Sequence, residues 1–328
     1  MGKSRERRLL DIRDLSVGFQ VYGGVLRVLN GVNFSVGEGE KVGLVGETGC
    51  GKTTTAKSIA RILPVPPAKT AGGEVLFNGK DVLKMGTREI RRLHAKGISM
   101  IFQDPTAALN PVFTVGEQLR DAIKYSNMRD GLNRREIQER AVRALRDVAL
   151  PDAERILDNY PIQLSGGMRQ RVCIAMALAT ESQLLIADEP TTSLDVTIQA
   201  QILRLLGALV SEKETSTILI THSLGIVREW TERVYVMYAG TMVEMAETKR
   251  LFAHPLHPYT QGLFKAMPKL TGEGIAEGIS GRIPDYLRPP AGCRFHPRCP
   301  HVMDVCRGEK PPFFEPEKGH HASCYLYR

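Results

Sequence analysis

Residues 41–45 form a short apolar run that opens into a glycine-rich turn at 46–51. Residues 53–63 then carry apolar positions at helical spacing until Pro64 ends them. This pattern predicts a strand, a tight loop and a helix in succession. Residues 184–188 and 217–221 are continuous apolar runs ending in polar residues, the pattern of strands buried on both faces of a parallel sheet. Ligands of such sheets collect at the carboxyl ends of the strands. Between Pro111 and Pro161 the spacing turns helical: Asn133 is placed to cap a helix with Glu136 reaching back, and Ile137, Ala141, Leu145 and Val148 fall on one stripe. That segment predicts a small helical insertion in an otherwise alternating α/β chain, with no internal repeat. Beyond Arg250 the pattern breaks. Eleven of the nineteen prolines lie in the final 78 residues, together with Gly272, Gly274, Gly278 and Gly281, which predicts loops held by something other than a core of their own.

No apolar run approaches the roughly 20 residues that cross a bilayer, so the chain is expected not to span a membrane. Its first residues are basic, but Asp11 and Arg13 interrupt what would be a signal peptide's apolar region, and a cytosolic protein is expected. A length of 328 residues suggests two domains at roughly 150 residues each. With 42% apolar and 24% charged residues, disorder and collagen-like structure are excluded. The net charge of +8 suits nucleic acid, anionic lipid or a phosphorylated ligand, and charge alone does not choose among them. Six cysteines are too few for a disulfide scaffold in a chain of this size. Cys50 and Cys173 stand alone, whereas Cys293, Cys299, Cys306 and Cys324 crowd the end.

Gly46, Glu47, Thr48, Gly49, Cys50, Gly51, Lys52 and Thr53 fit the phosphate-loop pattern, between a strand and a helix as that pattern requires. Glycines let successive backbone N–H groups face phosphate oxygens, Lys52 neutralises the β and γ oxygens, and the Thr53 hydroxyl binds Mg²⁺. Cys50 is a small filler rather than a nucleophile. Asp188 ends a buried strand and Glu189 follows at once. The first carboxylate is suited to hold Mg²⁺ through water, the second to orient or deprotonate an attacking water. Residues 164–171 form a second glycine-rich helix start, with Ser165 as its cap and Gly166 and Gly167 leaving N–H groups for another anion. A chain with one nucleotide loop has no obvious local use for a second cradle.

These motifs, in this order, resemble the ATP-binding-cassette (ABC) ATPases, whose LSGGQ signature reads LSGGM here; the resemblance covers nearly all of residues 9–245. It implies an α/β P-loop ATPase fold: a RecA-like parallel-sheet core, N-terminal antiparallel strands and a helical subdomain at about 105–165. It also implies ATP and Mg²⁺ as cofactors. The nucleotide would lie on residues 46–54, Thr54 included, with Mg²⁺ held through Thr53, Gln103 and Asp188. By the same resemblance Glu189 is the catalytic carboxylate, and Gln103 is the glutamine that couples the γ-phosphate region to the membrane subunit. His222 contacts the γ-phosphate, although Ser223 stands where the family usually has aspartate. Asp195 communicates across a dimer, and Phe19 or Tyr22 stacks on adenine. Two cassettes facing head to tail would let Ser165, Gly166 and Gly167 of one complete the phosphate site of the other.

Residues 254–264 alone read as a proline-broken turn leading into an apolar helix, with exposed histidines. They also resemble the C-terminal region of ATPases from dipeptide and oligopeptide permeases. Cys293, Cys299, Cys306 and Cys324 are separated by five, six and seventeen residues, without the two-to-four-residue gaps of structural zinc sites. Four thiolates can hold an iron–sulfur cluster instead. The resemblance implies a [4Fe-4S] cluster on these four, with zinc or free thiols as the alternatives.

The expectation is therefore an ATP-hydrolysing subunit of a peptide importer: a nucleotide-binding domain over residues 1–250, then an extension over 251–328. It would lie at the cytoplasmic face of the membrane. Its partners would be a second, different ATPase chain, two permease subunits and an extracytoplasmic solute-binding protein, with no nucleic acid. Nickel or oligosaccharides are alternative cargoes. The alternative from another class is a soluble cassette ATPase acting on nucleic acid or ribosomes; such proteins usually show a second cassette, a long coiled-coil insertion or a basic linker, and none appears in this sequence. The arginines between Arg129 and Arg146 read as the solvated face of the helical insertion.

Overall fold

The computed structural model describes residues 8–128, 131–191, 195–266 and 278–328; Arg129, Gly272, Gly274 and residues 192–194 lie outside the described residues. The chain forms two compact units, one of residues 36–40 and 84–221, the other of residues 8–35, 41–83 and 222–328.

The first unit holds three parallel strands, Ile98–Ile101, Leu184–Asp188 and Ser216–Ile220, with Leu184–Asp188 in the middle. Every residue of the latter two is buried, which is why their sequences run apolar without alternation. Helices Val115–Ser126, Arg134–Asp147 and Gly166–Ala179 pack on one another in the same unit. Asn133 caps Arg134–Asp147 as its spacing predicts: its Oδ1 accepts the Glu136 N–H at 3.0 Å and Glu136 Oε2 accepts the Asn133 N–H at 2.8 Å. Ala141, Leu145 and Val148 of the predicted stripe are buried, and Ala144 joins them.

The second unit contains an antiparallel sheet in the order Gly24–Gly37, Arg8–Val21, Ala68–Phe77, Lys80–Asp81. A further run of strands follows the order Phe314–Glu317, His320–Ala322, Thr241–Glu247, Arg233–Tyr238, Lys41–Val45, the last two parallel. The helix after the glycine turn spans Lys52–Ile59, shorter than its apolar spacing suggests. Arg61 takes a left-handed φ of 54°, and the N–H groups of Arg61 and Ile62 turn back to the carbonyls of Ser58 and Lys57, closing the helix one turn before Pro64.

The proline-rich tail does lean on the sheet. His320–Ala322 adds a strand beside Thr241–Glu247, so backbone groups that its own composition could not pair are paired by a neighbour. Beneath it Glu244, wholly buried, accepts the backbone N–H groups of Leu256 (2.7 Å) and His257 (2.9 Å), and its Oε1 lies 2.7 Å from His320 Nε2. Tyr238, Tyr259 and Phe295 form an aromatic cluster with ring centroids 4.6 to 5.5 Å apart. His257 stands against it at 5.7 Å from Phe295 and is buried rather than exposed, its Nδ1 accepting the Tyr259 N–H that opens the helix Pro258–Lys265.

Burial holds His257 neutral, its pKa lowered to about 4 against the pull of Glu244. An unfolded histidine titrates near 6.5, so between pH 6.5 and 4 the unfolded chain binds a proton that the folded chain refuses. The contribution is complete above that window and is lost as pH falls through it, up to about 3 kcal/mol. His257→Asn keeps a cap acceptor without a titrating ring. Denaturant titrations from pH 7 to 4 should show a shallower loss of stability in this variant; an unchanged slope would assign the acid sensitivity to other groups.

Candidate functional site

The phosphate loop belongs to the second unit. Gly46, Gly49 and Gly51 take φ values of 152°, 80° and 109°, a backbone course that side-chain-bearing residues resist. Two of the three are also short of space. A Cβ on Gly46 would lie 2.1 Å from the Met237 carbonyl oxygen, and one on Gly51 would lie 2.8 Å from Leu29 Cδ2. Inside the loop, the buried Lys52 ammonium donates to the carbonyls of Gly46 (2.8 Å) and Glu47 (3.1 Å) and lies 3.9 Å from Cys50 Sγ. Cys50 donates its N–H to the Glu47 carbonyl at 3.2 Å and accepts the Gly240 N–H at 2.7 Å. Its side chain is fully buried and burial pushes its thiol pKa up, which suits a filler and not a nucleophile. A glycine loop closed on a lysine at a helix start is a built anion cradle.

The same unit carries the two adenine candidates and His222. Tyr22 is fully exposed at the turn after Arg8–Val21, whereas Phe19 is half-buried within that strand. His222 is exposed, just before the helix Leu224–Trp230.

The first unit carries the carboxylates. Asp188 ends the middle strand with 1% exposure, and Glu189 follows with a left-handed φ of 46°, its N–H donating to the Ile220 carbonyl at 2.8 Å. Gln103 Nε2 donates to Glu189 Oε2 at 3.0 Å, so two residues 86 positions apart in sequence meet as one group. Ser165 caps Gly166–Ala179, its Oγ accepting the Met168 N–H at 3.3 Å, and Ser165 and Gly166 are exposed. Asp195 caps Val196–Glu212 through the Ile198 N–H at 3.0 Å.

Against this geometry, two family models match the chain: one described as ABC transporter over residues 29–192, the other as oligopeptide/dipeptide transporter, C-terminal region, over residues 243–306. The chain belongs to the ATP-binding subunits of ABC transporters, in their oligopeptide/dipeptide branch. Oligopeptide transport ATP-binding protein OppD of Bacillus subtilis is 43% identical across 98% of this chain and 90% of its own length. Dipeptide transport ATP-binding protein DppD of the same organism is 44% identical across 97% and 95%. Among solved structures, the dimeric post-hydrolysis state of the ATP-binding cassette MJ0796 bound to ADP and Pi matches with a TM-score of 0.65 at 26% identity, over 73% of this chain and 98% of that one. The fold is the α/β P-loop fold of these cassettes, as the order of motifs implies.

The iron–sulfur expectation is corrected. Among the described residues no group of three or more His, Cys, Asp or Glu side chains is placed to hold a metal ion, so the expected [4Fe-4S] cluster has no support in the structure, and neither has zinc. Cys293, Cys299, Cys306 and Cys324 are free thiols. Burial pushes the thiols of Cys293 and Cys324 up to about 11 and raises that of Cys299 as well, with the neighbouring cysteines adding to the shift. The names of the OppD and DppD relatives likewise refer to ATP binding and peptide transport alone.

Sequence spacing also missed the residues that grip the phosphate loop from outside. Arg298 reaches Glu47 across 251 positions, the Tyr259 hydroxyl accepts the Glu47 N–H at 2.8 Å, and Tyr286 OH donates to the Gly49 carbonyl at 2.7 Å. The run at 254–264 was the one available signal, and it marked Tyr259 without saying what it touches.

Gly46→Ala should lose about 3 kcal/mol or more of unfolding free energy, because its Cβ meets a backbone oxygen that cannot give way. Gly49→Ala, with nothing within 4 Å of the added carbon, should lose only the left-handed backbone cost of about 1 kcal/mol. Denaturant midpoints of the two variants check the order; equal losses would mean that the loop rearranges around Gly46.

Proposed function

We propose that this chain binds MgATP on residues 46–54 and hydrolyses it to ADP and phosphate, powering import of dipeptides and oligopeptides through a membrane permease. The observation that carries this is the closed glycine loop around Lys52, in a chain whose C-terminal part matches the oligopeptide/dipeptide transporter model. Among the described residues no helix is long and apolar enough to cross a membrane. The nucleotide-binding domain is assigned to residues 1–250 and the extension to 251–328, and the chain works at the inner face of the membrane against permease subunits supplied by a solute-binding protein.

Lys52 neutralises the β- and γ-phosphates, and residues 48–54 offer them backbone and hydroxyl groups. The donor types suit Mg²⁺, a hard cation that takes oxygen: the Thr53 hydroxyl, the Asp188 carboxylate and the Gln103 side-chain carbonyl. Bound there, the ion would offset charge on the transferring phosphoryl group. Glu189 accepts a proton from the attacking water, and the Gln103 amide steadies its carboxylate. His222 contacts the γ-phosphate. Tyr22, with both ring faces open at a turn, stacks on adenine in preference to Phe19.

Ser165, Gly166 and Gly167 act in a second cassette. The exposed helix start at Ser165 gives a γ-phosphate held on another protomer a second set of N–H donors, so ATP joins the pair and hydrolysis releases it. Asp195 communicates across that joint. The partner is a second, homologous ATPase chain.

Glu189→Gln should bind ATP normally and turn it over roughly 10² to 10⁴ times more slowly, the scale of losing a positioned base. Turnover near that of the unmodified chain would remove Glu189 from the role. Lys52→Ala should weaken ATP binding itself, measured by equilibrium titration. Co-purification with detergent-solubilised permease subunits, and peptide-stimulated hydrolysis in vesicles holding the complex, check the transport assignment; hydrolysis that responds to nickel or oligosaccharide and not to peptide would contradict the cargo.

A further inference from the structure

Glu47 is the only carboxylate in the phosphate loop, and every one of its polar groups is already engaged by the protein. Its carbonyl accepts from Lys52 Nζ and the Cys50 N–H, and its own N–H donates to the Tyr259 hydroxyl. Its carboxylate takes both terminal nitrogens of Arg298, Nη1 to Oε2 at 2.8 Å and Nη2 to Oε1 at 3.1 Å. Glu47 is therefore the point at which the protein anchors the loop.

The anchor itself is complete. A guanidinium carries five N–H donors in a rigid fork. Besides its two bonds to Glu47, Arg298 directs Nε to the Ser280 carbonyl (2.9 Å), Nη2 to the Ile279 carbonyl (2.9 Å) and Nη1 to Tyr238 OH (3.3 Å). Its side chain is 5% exposed and that of Glu47 23%. An ion pair of exposed side chains is screened and contributes little. This one is two-pronged and sheltered, and removing the arginine would leave a sheltered carboxylate unmatched. A second hold lies two residues on, where Tyr286 OH binds the Gly49 carbonyl at 2.7 Å. All of these atoms lie within one compact unit.

We propose that Arg298, with Tyr259 and Tyr286, is a positioning device: the C-terminal extension holds residues 47 and 49 of the phosphate loop in their ATP-binding shape and so sets the nucleotide affinity of its own cassette. None of the three belongs to the loop itself. They act through Glu47 and Gly49, so their loss changes how well the loop fits phosphate before it changes the chemical step. The device rests on the ATP-binding role of residues 46–54 proposed above.

The test is a double-mutant cycle, read as MgATP dissociation constant by equilibrium titration of the full-length purified chain and as KM and kcat for ATP hydrolysis in the importer complex. Arg298→Ala should raise the dissociation constant and KM by about tenfold, the scale of a charge-assisted hydrogen bond, with kcat at saturating ATP within about twofold. Glu47→Gln should weaken binding too, and the pair together should be no weaker than the worse single variant. Arg298→Lys, which keeps the charge but not the fork, should fall between, and Tyr286→Phe should cost about threefold. These two milder variants carry the test if Arg298→Ala does not fold. Wild-type affinity in Arg298→Lys and Tyr286→Phe, or losses that multiply in the double variant, would overturn the proposal. Lys52→Ala, run beside them, separates the two levels. If its ATP binding is impaired while the Arg298 variants bind normally, only the positioning device fails; if it binds ATP normally, the ATP site assigned to this loop fails and the device with it.

Discussion

The fold of the site depends on one closure: a lysine ammonium drawn inside the loop that precedes it. Lys52 can reach the carbonyls of Gly46 and Glu47 only because Gly46 has no side chain to meet the Met237 oxygen and Gly51 has none to meet Leu29. The helix Lys52–Ile59 begins where that closure ends, so the charge that binds phosphate and the charge that shapes the loop are the same group. Packing around it is tight on the inner side and polar on the outer side, where Arg298, Tyr259 and Tyr286 meet the loop. A backbone course that glycine alone tolerates is thereby over-determined, the condition under which such conformations persist.

Two carboxylates tie the C-terminal extension to the rest of its unit. Glu244 collects the N–H groups of Leu256 and His257 and faces His320, and Glu47 collects Arg298. Both take segments too rich in proline and glycine to pair among themselves and give their polar groups partners, with the Tyr238, Tyr259 and Phe295 rings filling the space between. The extension is thus stabilised by side-chain acceptors and borrowed strand edges in place of a core of its own. Of its four cysteines, Cys306 and Cys324 are buried.

What could be read from the chain alone was whatever is decided locally. The run at 184–188 had to be a doubly buried strand because no polar residue interrupts it, and Asn133 with Glu136 had to start a helix because each satisfies the other's backbone. The loop at 46–53 was legible for the same reason, since its residue types leave few other conformations. The helix after it ended early because Arg61 turns left-handed, a choice that no composition announces. Contacts that join distant segments left no trace: no spacing marks Arg298, the loop pattern marks Glu47 without its partner, and His257 looked like a surface residue because Phe295, against which it packs, comes 38 positions later. The cluster expected on the four cysteines came from the resemblance of the tail and not from any local pattern, and no metal-holding group among the described residues supports it.

The central claim is that one ATP is held by residues 46–54 of one cassette and by Ser165 and Gly167 of another. A structure of the intact importer, trapped with MgATP on a Glu189→Gln chain, measures this directly. The account predicts Lys52 Nζ and the partner's serine–glycine helix start both within hydrogen-bond distance of γ-phosphate oxygens. A trapped nucleotide with Ser165 and Gly167 remote from every γ-phosphate oxygen, in each pairing of subunits, would contradict it.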